Sequence, residues 1–156
     1  MAHLLAPQQY KTTLPVFYNV DGVVGSNPAV NNREDVLLVQ FAFKVIAAKP
    51  QGISSPESQK VFQAVQTTGI IDQATIDAIR AGQMEVKKQK PKAVVDGRVS
   101  PASSGSYGFG GGASYFVVTL NESIQMRHTE IWPRIDKIPG CPPELTQMVI
   151  RTVRGT

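Results

Sequence analysis

The stretch from Val36 to Ala48, VLLVQFAFKVIAA, constrains this chain more than any other. Leu37, Leu38, Phe41, Val45 and Ala48 recur at helical spacing, and Val36, Val39, Phe43 and Ile46 widen the stripe until most of the circumference is apolar. Such a helix must sit at the centre of its module, with neighbours on several sides. Pro50 and Gly52 stop it. Upstream, Gly25-Ser26-Asn27 reads as a turn. Asn31 reads as an N-cap with Glu34 three residues on to close a capping box, and Glu34 and Asp35 suit the positive helix end. Gln40 places an uncharged amide within the apolar run, which Lys44 also interrupts. A buried amide needs hydrogen bonds, so Gln40 is expected to bond loop backbone groups rather than a ligand.

Two shorter helices follow. SPES offers Ser55 as cap and Pro56 in the first turn, with Val61, Phe62 and Val65 as the buried stripe and an end near Gly69. DQAT offers Asp72 as cap, Ile76 and Ile79 as buried residues and Gly82 as the stop. Their short connections make the three helices neighbours in space.

Residues 1–23 read as an extended lead-in, with LPVFYNV as a short strand. Residues 85–92, EVKKQKPK, read as a charged linker, and VDGRVSP as an Asp-Gly turn. The run SSGSYGFGGGAS is glycine-rich loop. YFVVTLNESIQMRH has the β-branched and aromatic content of a strand, bent or paired at Asn121-Glu122. A last helix begins at CPPEL, with Leu145, Met148, Val149, Thr152 and Val153 on one face and Gly155 as its stop. The predicted fold is therefore a small α+β protein. It has a three-helix module over 24–101 and an extension over 102–156 that carries the glycine-rich loop, the strand or hairpin and the terminal helix.

The 16 Lys and Arg against 12 Asp and Glu among 156 residues give a formal charge of +4, a mild bias toward anionic partners. The dense basic stripe and reading motif of a nucleic-acid binder are absent from the sequence. A single cysteine excludes an intramolecular disulfide. MAHLLAPQQYKTTLP lacks the charged and apolar regions of a secretory leader. No apolar run approaches the ~20 residues of a membrane span.

The pieces of the helical stretch, taken in order, resemble the bacterial peptidoglycan-binding domain. Gly25-Ser26, Asn31, Asp35-Val36 and Val39-Gln40 match its first element, Val61-Phe62-Gln63 its second and Thr75-Ile76-Asp77-Ala78-Ile79 its third. VDGRVSP, residues 95–101, is similar to its Asp-Gly turn. QGISSPES stands where the family has Asp-Gly-x-Phe-Gly, and GIIDQAT is shorter than the usual connection. The resemblance implies a small helical fold and non-catalytic binding of cell wall. Peptidoglycan or another anionic wall polymer would be the partner. The histidines are His3 and His128, with no HxxxH or cysteine-pair spacing, so no metal site is expected, and no cofactor.

Candidate site residues divide by chemistry. Arg98 in the Asp-Gly turn, with Tyr107, Phe109 and Tyr115 around the glycine-rich loop, can meet a carboxylate and a sugar face together; the aromatics can equally serve as core. Cys141 before a helix, with His128 as base, would suit a cysteine-type wall hydrolase or toxin. In such enzymes the cysteine usually precedes the histidine, the reverse of the order here. Glu122 and Glu130 are the carboxylates available for muramidase chemistry, and solvated glutamates explain them as well. GFGGGA lacks the preceding strand and following helix of a dinucleotide fingerprint. Trp132-Pro133 reads as an anchor for WPRIDKIPG.

Two further classes stand beside wall binding: a structural or adaptor protein of a secretion or phage-tail machine, and the small hydrolase. Without a leader, a wall binder made in the bacterial cytoplasm would reach the wall or periplasm by lysis, in a phage-like particle or through a type VI-like machine.

Overall fold

A helix running Arg33–Ala48 (α1) is the piece around which the others are arranged, and every residue from Asp35 to Phe43 is buried. The computed structural model describes residues 2–5, 17–102 and 115–154. Their elements, in order, are β1 (His3–Leu5), β2 (Phe17–Asn19), β3 (Val24–Gly25), α1, α2 (Pro56–Gln63), α3 (Gln73–Gln89), β4 (Arg98–Val99), α4 (Phe116–Arg127), a 3-10 turn at Ile135–Lys137 and α5 (Pro143–Arg154). The class is α+β, as the sequence indicates. Helices α2, α4 and α5 all pack on α1, and α3 packs on α2. The nearly all-round apolar surface of α1 thus meets a cover on several sides. No helix among the described residues is long and apolar enough to cross a membrane.

The strands form two small antiparallel pairs. β1 lies against β2 with Leu4 opposite Tyr18, and β3 lies against β4 with Gly25 opposite Arg98. Gly25 has φ +134°, and a Cβ there would fall 2.1 Å from the Gly97 carbonyl oxygen, so only glycine allows the two backbones to approach so closely.

Several capping expectations hold. Ser55 accepts from the Ser58 N–H behind Pro56, and Asp72 accepts from the Thr75 N–H at 2.9 Å. The capping box on α1 does not form. Asn31 sits at φ +55° and its amide bonds both the N–H and the carbonyl of Gly25, while Asn32 precedes the helix without a side-chain cap bond. Buried Asp35 instead accepts the backbone N–H groups of Asp21 and Gly22, fixing how the chain enters α1. Asparagine tolerates the left-handed region and can staple its own turn, and that use outcompetes capping.

Two boundaries also differ from expectation. α2 ends at Gln63, and its C-cap Ala64 leads into buried Val65. α3 runs on through Gly82 to Gln89, so most of the expected linker is helix. Gly82 is a packing position: an added Cβ would lie 2.7 Å from the Phe116 ring, which needs that gap. Within α3, Thr75, Ala78 and Ile79 are buried and Ile76 is only half-buried.

The largest difference is Phe116–Arg127, expected as strand and found as helix α4. Its buried residues, Val117, Val118, Leu120, Asn121, Ile124 and Arg127, fall at helical spacing on the side facing α1 and β2. Burial along that stripe overrides the local β-branched preference. α5 buries Leu145, Met148 and Val149 as expected.

Four buried amides tie this arrangement together, each by grasping distant backbone. Gln40 accepts the Gly69 N–H at 2.9 Å and donates to the Ile70 carbonyl and Thr75 Oγ1, each at 3.1 Å. Gln83 accepts the N–H groups of Asp96 and Gly97 and donates to the Arg98 carbonyl. Asn19 bonds both backbone groups of Ala102, and Asn121 bonds both of Tyr18. At the far end of α1, buried Arg127 donates to the carbonyls of Lys49, Gln51 and Ser123, a cation at a negative helix end.

Candidate functional site

Between the C-terminal half of α3, the segment 90–100 and the first turns of α4 lies a groove of about 530 Å³. Its position follows from elements already described. The Asp96–Gly97 turn, with Gly97 at φ +74°, is fixed by the Gln83 amide and delivers Arg98 to the groove wall. Gly82 lets the Phe116 ring lie against α3 and form part of the floor. Val86 and Val94 extend that apolar floor, and Val94 is 68% exposed although it is a large aliphatic residue.

The rim is cationic. Lys90 and Lys92 follow the end of α3, and Arg98 lines the same groove, donating to the Asn27 carbonyl and pairing with Asp96 at 3.7 Å. A second recess of about 260 Å³ adjoins the first, since Val86, Lys90 and Thr119 line both, and the pair is termed the channel. It leads along α4 to Glu122 and to Met126, which is 59% exposed. Burial raises the Glu122 carboxyl above its ordinary value, with Lys90 pulling it back.

Of the four candidate ligand residues, Arg98 and Tyr115 both line this groove. Tyr107 and Phe109 lie outside the described residues, as does the glycine-rich loop that holds them. Lys90, Lys92, Val86 and Phe116 were missed as site residues. The run KKQKPK, which holds Lys90 and Lys92, reads as a solvated linker that could also touch acidic wall polymer, lipid headgroups or nucleic acid, and α4 reads as a strand, so nothing in the sequence brings the two together.

The proposed thiol–imidazole pair is not assembled. His128 closes α4 beside Lys49 and Arg127, whereas Cys141 precedes α5 and receives the Thr146 hydroxyl on its sulfur at 3.7 Å. Burial pushes the Cys141 thiol up, outweighing the Thr146 hydrogen bond. Burial and then Lys49 push the His128 imidazole down. Both shifts favour the neutral pair over thiolate and imidazolium, the opposite of what nucleophilic catalysis requires. Cys141→Ser is expected to leave binding unchanged. The native thiol is expected to react with a disulfide reagent at pH 7 more slowly than a free cysteine, with the rate rising only above the ordinary thiol range. Fast labelling at neutral pH would contradict this environment.

Glu122 lines the groove while Glu130 lies beyond α4 next to His128, so the two carboxylates do not flank one cleft. Among the described residues no three His, Cys, Asp or Glu side chains are grouped to hold a metal. Trp132 acts as the expected anchor: its ring meets Tyr18 edge-on at 5.8 Å, and the Tyr18 hydroxyl donates to the Pro133 carbonyl. Burial holds that phenol above its ordinary range.

Comparison with protein-family models, with curated proteins and with solved structures finds no match to this chain.

Proposed function

We propose that this protein is a non-catalytic binding module for bacterial cell wall, and that the groove between α3 and α4 is its binding surface. The carrying observation is an apolar floor rimmed by Lys90, Lys92 and Arg98. Peptidoglycan offers the complement, free carboxylates among small apolar groups. Direct carboxylate recognition by Arg and Lys, with methyl groups on Val86 and Phe116, uses both features at once. The ordered resemblance of residues 24–101 to wall-binding modules supports the same reading.

Cosedimentation with purified sacculi tests it. The wild-type chain is expected to pellet with the wall, and less so as salt is raised, since exposed charges are screened. Lys90→Glu combined with Lys92→Glu is expected to weaken binding by roughly tenfold or more, because like charges then face the carboxylates. Both side chains are exposed, and the melting temperature of the double variant, measured beside binding, separates lost binding from lost folding. A parent chain that stays in the supernatant at low salt overturns the proposal. Binding instead to tail or secretion components would favour the adaptor reading.

A further inference from the structure

The channel has a length, a floor and a charge order, and together they specify a ligand more closely than its sign alone. From Phe116 to Met126 it follows ten residues of α4, about 15 Å at ~1.5 Å per residue. An extended peptide advances ~3.3 Å per residue, so four to five residues would fill that length. Lys92 and Arg98 border the wider part, Lys90 borders both parts, and Glu122 stands in the narrower part. Asp96 also lines the wider part, paired with Arg98, so that end carries an excess of cations, while the other end sets Glu122 against Lys90. Between them, Val86 and Thr119 line both parts.

A glycan strand asks for something else. Neutral sugar rings are held by exposed aromatic faces spaced along a cleft. Among the described residues, the aromatic rings lining the channel are Tyr115 and Phe116, adjacent in sequence and both at one end. Resting on the wall-binding proposal, we infer that the channel takes a short extended zwitterionic peptide, its carboxylates toward Lys92 and Arg98 and its ammonium toward Glu122. The wall component read is then the stem peptide, whose free carboxylates, alanine methyls and diamino-acid amine match the rim, the floor and Glu122. Burial already holds the Glu122 carboxyl above its ordinary value, and an arriving ammonium would pull it back in the same direction as Lys90 does.

The experiment is calorimetric titration of the full chain with three probes: stem tetrapeptide released from sacculi, the same peptide acetylated on its side-chain amine, and peptide-free glycan strands. Intact sacculi serve as the reference. The free tetrapeptide is expected to bind, the glycan strands are not, and acetylation should weaken binding by about fivefold, the scale of a part-exposed ion pair. Glu122→Gln should lower affinity for the free-amine peptide to the acetylated level and leave the acetylated peptide unaffected. Circular dichroism of the variant would show the helices intact. Binding to sacculi and glycan but not to tetrapeptide overturns the inference and leaves the wall-binding proposal standing. Loss in Glu122→Gln that is equal for both peptides overturns the assigned orientation. No binding to sacculi or to any probe overturns both proposals together.

Discussion

Phe62→Ala is expected to lower the free energy of unfolding by about 3–5 kcal/mol. The ring is 1% exposed and stacks on Phe43 with centroids 5.2 Å apart and planes inclined by 17°. α2 has eight residues, of which only Ser58 and Phe62 are buried, so one side chain carries most of the helix's hold on α1. The ring stacked on it, Phe43, belongs to α1, which is held from several sides and cannot readily move into the space, so the cavity should persist. Denaturant unfolding followed by helical circular dichroism measures the loss. Phe62→Leu should fall between parent and alanine. A Phe62→Ala midpoint close to that of the parent would mean that α2 does not dock on α1 as described.

Gln40→Leu is expected to cost about 2–4 kcal/mol, although leucine has nearly the same volume and suits a helix better. The position is fully buried, so a hydrophobic tally would score the change as favourable. The amide nevertheless satisfies the buried Gly69 N–H and donates to the Ile70 carbonyl and to Thr75 Oγ1, and leucine leaves the Gly69 N–H without that acceptor. Gly69 adopts φ +76° and carries the turn between α2 and α3, so the damage should spread to that turn. Hydrogen exchange would locate it: protection at Gly69 should fall further than protection in α1. A variant as stable as the parent, with Gly69 still protected, would refute this role.

Gln40 also shows what the sequence makes legible. An amide within an otherwise apolar helix leaves one physical solution, bonding to nearby loop backbone, and that solution is what the fold adopts. The caps at Ser55 and Asp72 were readable for a similar reason: each is a local bargain settled within four residues. Asn121 was not readable. Beside Glu122 it looked like a bend, but it bonds both backbone groups of Tyr18 from a helix face. Only the pairing of two remote segments makes that face visible. The candidate site divided in the same way. Arg98 was found because an Asp-Gly turn announces itself. Lys90 and Phe116 were not, since the channel needs α3 to continue past Gly82 and needs α4 to be a helix. A hidden clue existed in the three- and four-residue steps from Val117 through Leu120 or Asn121 to Ile124. Three consecutive β-branched residues, Val117 to Thr119, masked it.

The links from α1 to its covers have a consequence in time as well as in space. Lys49 and Arg127 are 78 positions apart, and Tyr18 and Asn121 are 103 apart. At roughly 5–20 residues per second, a ribosome needs about 4–16 s to go from the end of α1 to the end of α4. For that interval the most apolar helix of the chain is already made while part of its shelter does not yet exist. Helix α2 emerges early and can shield one side through Phe62. The side that belongs to α4 and α5 has to wait, which makes the newborn chain a natural client for whatever holds exposed apolar surface until translation passes α5.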